Sequence, residues 1–428
     1  MKNIKNRIIA GVSANAFGQA VIILIQLLSL PIFLKVWDIE TYGVWLILSA
    51  FPAYLAIADI GILATAGNKM TIAMSSKKYI EANKIFQSSL AFLLLAMSFF
   101  TVLILIIGVF LPLPNSINGI DARIAIICLS LSVLVNMFGG LSDIIFKSND
   151  SYALGTFMGN LLRLSEWAAS MIGLAIFGSF SSIALFNLIV RIIGTFVITL
   201  ISREKFKEIK WGLSLAQRSE IVSMLKPALA FMVFPTANAI TFQGVTILAG
   251  ILMGSSSVAI FNTYRTMARI SVQANSVLSH ALWPEFSKLF GNRGNFNEII
   301  SFYKKSFWSG VVIALVSSTL LYLLSDTILR YWSGNSIPYI KNFMIIMILY
   351  STIGSFNHIP RIFLMSMNEH INLATFYFIF SISSIILVKF FGEKFELIGF
   401  GLAMTLSEIF LLMTSIYLCN RFILKYKN

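Results

Sequence analysis

The sequence predicts an all-α integral membrane protein with about twelve transmembrane helices in two six-helix lobes. Three observations predict it. About twelve apolar stretches of roughly 20 residues follow one another with short loops between them, and a helix rising ~1.5 Å per residue needs ~20 such residues to cross a ~30 Å hydrocarbon core. The chain is 57% hydrophobic and 12% charged, with a mean hydropathy of +0.85. That fits a chain dissolved in lipid and not a soluble enzyme. No loop is long enough to fold as a separate catalytic domain, so the protein must act inside the bilayer or at its faces.

The first span, 12–36, carries Asn15, Gln19, Gln26 and Ser29 on one helical face. Such amides serve interhelical hydrogen bonds or contacts to sugar hydroxyls. The basic start and apolar run mimic a signal peptide. Ser13-Ala14-Asn15-Ala16, however, precedes the apolar run instead of following it, so an uncleaved helix is expected. The second span, 43–66, contains Asp59; the third and fourth run 86–111 and 122–145. In the fifth, 152–177, Asn160, Arg163, Trp167 and Ser170 share a face. Glu166 follows Arg163 at i+3, so the two can neutralise each other. The sixth, 181–202, holds Arg191 with no acid nearby in sequence.

A basic loop, 203–220, follows, with Trp211 as a candidate interface anchor. It divides the chain into expected lobes 1–210 and 211–428. Ala14-Asn15-Ala16 with Gln19 is echoed by Ala237-Asn238-Ala239 with Gln243. Six spans of the same orientation in each half suggest parallel repeats, related by a pseudo-two-fold axis along the membrane normal. In the seventh span, 223–253, Pro227 and Pro235 should bend or loosen the helix. The last four spans are 306–325, 341–366, 371–391 and 396–419, with Glu408 in the last. A carboxylate at such a depth, Asp59 or Glu408, serves either proton coupling or as a fixed counter-charge to an arginine.

The eighth span, 256–282, carries the sharpest pattern. Asn262, Arg265, Arg269, Gln273, Ser276 and His280 fall on one face, at spacings of three and four. A lipid-facing arginine at mid-membrane costs between ~2.5 and ~17 kcal/mol, depending on the method. This face is therefore expected to look into protein or water. It is either a structural seam satisfied by neighbouring helices or a cationic wall of a transport cavity.

Orientation follows from the 32 lysines and arginines. Lys35, Arg123, Arg330, Lys341, Lys389 and Lys394 fall on one side. Arg163, Arg191, Arg265 and Arg269 lie within spans, and all the others lie on the opposite side with both termini. The positive-inside bias makes that second side cytoplasmic. It also accounts for the net charge of +14, so nucleic acid is not expected as a partner. The two cysteines, Cys128 and Cys419, lie in or near spans and indicate no disulfide framework. His280, His358 and His370 are scattered, no metal-ligand spacing or phosphate loop occurs, and no resident cofactor is expected.

Tyr42-Gly43-Val44-Trp45-Leu46, Ala58-Asp59-Ile60-Gly61 and Gly67-Asn68-Lys69 carry a resemblance. The amide-rich first span ending at Leu30-Pro31-Ile32 adds to it, as does the Ser257-Val258-Ala259 turn into a polar eighth span. The chain resembles the bacterial polysaccharide-unit (O-antigen) flippases of the multidrug/oligosaccharidyl-lipid/polysaccharide exporter superfamily. The resemblance implies a V-shaped, two-lobed bundle in the bacterial inner membrane with a central cationic cavity. It implies translocation of undecaprenyl-diphosphate-linked oligosaccharide to the periplasmic leaflet, by alternating access and with a proton or sodium gradient. Membrane lipids and polysaccharide polymerase machinery are the implied partners. Arg163, Arg191, Arg265, Arg269 and Gln273, with Asn15 and Gln26, are the candidate substrate contacts; Asp59, Glu166 and Glu408 are the candidate coupling residues. The extruder branch commonly has an acidic residue in its first span, and this first span has none.

The charge pattern suits such a substrate. A diphosphate bearing sugars is barred from hydrocarbon by desolvation, and convergent guanidinium groups replace its hydration with charge-assisted hydrogen bonds. Two other readings compete. A cation-coupled exporter of small cationic molecules calls for an acidic, aromatic cavity. A membrane polymerase or ligase calls for an extended outer loop with catalytic groups, and the longest here, 326–340, carries only Asp326 and Arg330 as charges.

Overall fold

The computed structural model describes residues 2–57, 61–110, 119–291, 296–367 and 370–427, and among them every regular element is helical. The first seven helices are α1 (Lys2–Val36), α2 (Ile39–Ala50), α3 (Ile62–Ser75), α4 (Tyr79–Phe110), α5 (Gly119–Ser148), α6 (Tyr152–Phe177) and α7 (Phe180–Lys205). Then come α8 (Arg218–Ala239), α9 (Val245–Met253), α10 (Ser255–Ala268), α11 (Ile270–Gly291) and α12 (Phe296–Ser333). The chain closes with α13 (Lys341–Phe356), α14 (His358–Ser366) and α15 (His370–Lys427). Eight helical stretches among the described residues are long and apolar enough to cross a membrane, and the chain is a multi-pass membrane protein. The expected twelve spans are reached because several are broken helices and one helix is two spans.

Each break has a local cause. The second span is α2, a 3₁₀ turn over Pro52–Ile57, and α3, which starts after Gly61 at φ 69°. A Cβ on Gly61 would run into the Ala228 carbonyl, so glycine is required twice over. The tenth span breaks between α13 and α14 because Pro360 has no N–H and its ring crowds the carbonyl four residues back, at Phe356. In α15 the backbone leaves helical geometry at Glu396 (φ 49°, ψ −132°), where the expected twelfth span begins.

The seventh span loosens, but not at its prolines. A π-helical turn, Ile240–Gly244, joins α8 to α9. The Phe242 carbonyl inside it accepts from the Thr246 hydroxyl at 2.9 Å and from Arg265 Nη1 at 3.0 Å. Side-chain donors thus take over a carbonyl of the ladder.

The chain divides into two compact units, 1–37 with 48–232 and 38–47 with 233–428. In the first, Ile62, Met70, Phe86, Leu93, Leu134 and Phe146 form the buried core. The basic loop is folded onto that unit. Asn83 Oδ1 accepts from the Lys210 N–H at 2.6 Å, and Gln87 Oε1 accepts from the Leu215 N–H at 2.6 Å. Trp211, expected as an interface anchor, packs edge-on against Phe86 at 4.9 Å. In the second unit the core is built on Phe286, Tyr303, Ile359, Phe363, Leu373 and Phe422.

Residues 38–47 open the second unit. Asp38 caps α2: its Oδ1 accepts from the Thr41 N–H at 2.7 Å, and the Thr41 hydroxyl and amide hold its carboxyl below the usual value. One turn on, Gly43 lies against the backbone of Ser255, and a Cβ there would strike the Ser255 carbonyl oxygen. Backbone cannot swing aside as a side chain does. Gly43→Ala is expected to lower stability by about 1–3 kcal/mol. Gly159→Ala, where a Cβ meets nothing within 4 Å, should be neutral or slightly stabilising. Thermal unfolding of the two purified variants checks the contrast.

Candidate functional site

A hollow of about 520 Å³ opens in the first unit among α3, α5, α6 and α7. Small residues make the space. Gly139 and Gly140 of α5 and Gly155 and Gly159 of α6 line it. Gly140 also receives the Leu63 side chain, and Gly155 lets α6 rest on Phe146. The charged lining is Asp143, Lys147, Arg163 and Arg191, with amides from Asn136 and Asn160.

Arg191 is not the unpaired charge its sequence context implied. Its Nη2 lies 2.5 Å from Glu166 Oε2, and its Nη1 donates to Asn136 Oδ1 at 2.8 Å. The pair forms because α6 and α7 pack closely: Gly194 gives way to Leu162, and a Cβ at Gly194 would run into that leucine. Glu166 is 3% exposed and therefore needs this partner. The expected Arg163–Glu166 pair is replaced by it. Arg163 donates instead to Asn160 Oδ1 at 3.4 Å and has no carboxylate partner among the described residues. Asn160 in turn donates to the Ala14 carbonyl at 3.3 Å, and Trp167 Nε1 donates to Ser29 Oγ at 2.9 Å. The polar face of the fifth span is thus partly a joint to α1, with Asn160 and Arg163 as its members in the hollow.

A second, more open hollow of about 770 Å³ shares Lys147 and Tyr152 with the first and includes Asn15. The Tyr152 hydroxyl donates to Asn15 Oδ1 at 3.3 Å, so Asn15 stands beside the shared wall. Gln26 is half-buried on α1, outside both linings.

The eighth-span stripe is interrupted. Helix α10 ends at Ala268, where the Ser351 hydroxyl donates to the Ala268 carbonyl, and α11 starts at Ile270. Arg265 is 8% exposed and is held by neutral groups: the Phe242 carbonyl, the Thr246 hydroxyl at 3.0 Å and Asn262 Oδ1. Its guanidinium lies 4.8 Å from the Phe242 ring centroid, and that of Arg269 lies 4.5 Å from the same centroid. Both arginines therefore stack on the π-helical turn. Gln273 lies half-buried on α11, beyond the break.

Glu408 faces a hollow of about 50 Å³ within the second unit, with Asn238, Thr241, Tyr350, Tyr377 and Ser384 around it. Its carboxylate has no hydrogen-bond partner among the described residues. Arg361, counted among the cytoplasmic-side charges, lies within α14, 5.7 Å from the Tyr377 ring centroid. Asp59 and the His280 side chain lie outside the described residues.

The residues missed in the sequence are Asp143 and Lys147. The signal was present: Asn136, Gly139, Gly140, Asp143 and Lys147 recur at three- and four-residue spacing on one face of α5. Lys147 passed as one more cytoplasmic charge, and Asp143 lies near the end of an otherwise apolar run.

No family model and no curated protein match the chain. Solved structures do. A multidrug resistance MATE family transporter of the MOP superfamily, in an inward-facing conformation, is similar with a TM-score of 0.73 at 12% identity, over 96% of this chain and 98% of that one. The lipid II flippase MurJ, in an inward closed conformation, is similar with a TM-score of 0.70 at 18% identity, over 96% of this chain and 87% of that one. A MOP superfamily transporter from Pyrococcus furiosus, described as having a binding pocket of reversed polarity, has a TM-score of 0.65 at 13% identity, over 99% and 97%. The chain has the fold of these transporters.

Proposed function

We propose that the chain is a flippase of undecaprenyl-diphosphate-linked oligosaccharide, such as an O-antigen unit for lipopolysaccharide biosynthesis. In this reading it works by alternating access from the cytoplasmic to the periplasmic leaflet of a bacterial inner membrane, with both termini cytoplasmic. The observation that carries it is the hollow of the first unit, where Arg163 and Lys147 face open space with no carboxylate bound to either among the described residues. Two such cations match the two negative charges of a diphosphate diester, and the guanidinium fork suits phosphate oxygens. The fold it shares with a lipid flippase and with drug exporters fits a transporter. Glu408, a carboxylate without a hydrogen-bond partner among the described residues, is the proposed point of coupling to a proton or sodium gradient. Arg265 and Arg269 serve in this scheme to hold the π-helical turn of the seventh span, and polymerase machinery would receive the product.

One observation favours a second reading, a cation-coupled exporter of small molecules: the Asp143 carboxylate faces the same hollow. Proteoliposomes separate the two. The flippase should move a fluorescent short-chain diphospho-oligosaccharide lipid between leaflets and leave a cationic dye behind. Dye export without lipid movement, abolished by Asp143→Asn, would establish the exporter instead.

A further inference from the structure

We propose that Asp143 selects the sugar, so that the hollow of the first unit accepts a diphosphate whose adjoining sugar offers free hydroxyl or ammonium donors and no carboxylate. This rests on the flippase reading and names the substrate class of its site.

The starting point is a pair that does not form. Asp143 precedes Lys147 by four residues on α5, the favourable order for a helical ion pair. Lys147 Nζ turns instead to Asn68 Oδ1 at 3.2 Å. Asp143 is left with no hydrogen bond or ion pair to any described residue, and its side chain lines the hollow. Asp143 is exposed to the hollow, so water donates to it until a bound group displaces that water. The neighbouring cations are otherwise engaged or better suited to phosphate: Arg191 is bound to Glu166, while Arg163 and Lys147 face the open space.

The donors must then come with the substrate. At about 520 Å³ the hollow holds a diphosphate and its first sugar, and not a whole repeat unit. With the diphosphate on Arg163 and Lys147, the sugar is the part left to meet Asp143. Two adjacent hydroxyls, or an ammonium, donate to the two carboxylate oxygens in charge-assisted hydrogen bonds. A uronate there would set two carboxylates against each other.

The test uses the full-length protein in lipid nanodiscs and three probes: geranyl diphosphate, its glucosyl diester and its glucuronosyl diester. The native protein should bind the glucosyl probe about tenfold or more tightly than the glucuronosyl one, the scale of one charge-assisted hydrogen bond. Asp143→Asn should cut that preference to about twofold or less, chiefly by tighter glucuronosyl binding. Asp143→Ala removes the same charge and the acceptor atoms as well, so it should lose the preference by both tighter glucuronosyl and weaker glucosyl binding. Thermal unfolding confirms that each variant is folded. An undiminished preference in both variants, or none in the native protein, overturns the role of Asp143 and leaves the flippase standing. Failure of all three probes to bind the native protein overturns the flippase reading, and the sugar selection with it.

Discussion

Arg163→Ala is expected to cut lipid translocation at least ten- to a hundredfold while the protein still inserts and unfolds at its native temperature. The expectation follows from what the side chain does and does not hold together. Its one hydrogen bond among the described residues, to Asn160 at 3.4 Å, is long, and Asn160 keeps its own bond to the Ala14 carbonyl. The fold therefore loses little. The substrate loses a charge-assisted pair of about 1.5–3 kcal/mol. Arg163→Lys should recover part of the rate, since the charge remains while the planar fork is lost. The measurement is the initial rate of a fluorescent diphospho-oligosaccharide lipid in proteoliposomes, beside a thermal unfolding curve. Native rates in both variants would remove Arg163 from the site.

Arg191→Met is expected to act in the opposite way, on the fold. It strands Glu166, whose carboxylate is buried inside the bundle and already has one oxygen, Oε1, without a partner. Removing one member of a buried ion pair costs about 3–5 kcal/mol, because the other charge stays behind. The double variant Glu166→Gln with Arg191→Met removes both charges together, and most of that loss should return. Unfolding midpoints of the single and double variants in detergent decide the matter. Equal destabilisation in both would mean that packing, not the stranded charge, is at stake. Because Arg191 also lines the hollow, transport should stay impaired in the double variant even as stability recovers.

Most of the fold was legible in the sequence. Apolar length alone gives the spans, since a helix that crosses hydrocarbon has no other way to satisfy its backbone. The breaks were only partly legible. Pro360 marks one in the sequence, but the π-helical turn at Ile240–Gly244 depends on Arg265, distant in the chain, reaching the Phe242 carbonyl.

The sites divide in the same way. Helical spacing found Arg163 and Arg191 as intramembrane charges and the polar face of the eighth span. It could not tell a cation in open space from one resting on a ring and a carbonyl, because Arg163 and Arg265 look alike in a one-dimensional pattern. The same limit hid the Glu166–Arg191 pair, whose members are 25 residues apart and meet only because Gly194 admits Leu162.

By itself the sequence determined that this chain is a bundle of membrane-crossing helices carrying a few arginines at depth. Hydropathy and period are properties of single segments, so a linear string contains them. Which arginine is neutralised, which is stacked and which looks into open space was decided only by tertiary structure. Those outcomes depend on where glycines let separate helices touch, and in a low-dielectric interior a few ångströms decide whether a charge is satisfied or left for a ligand.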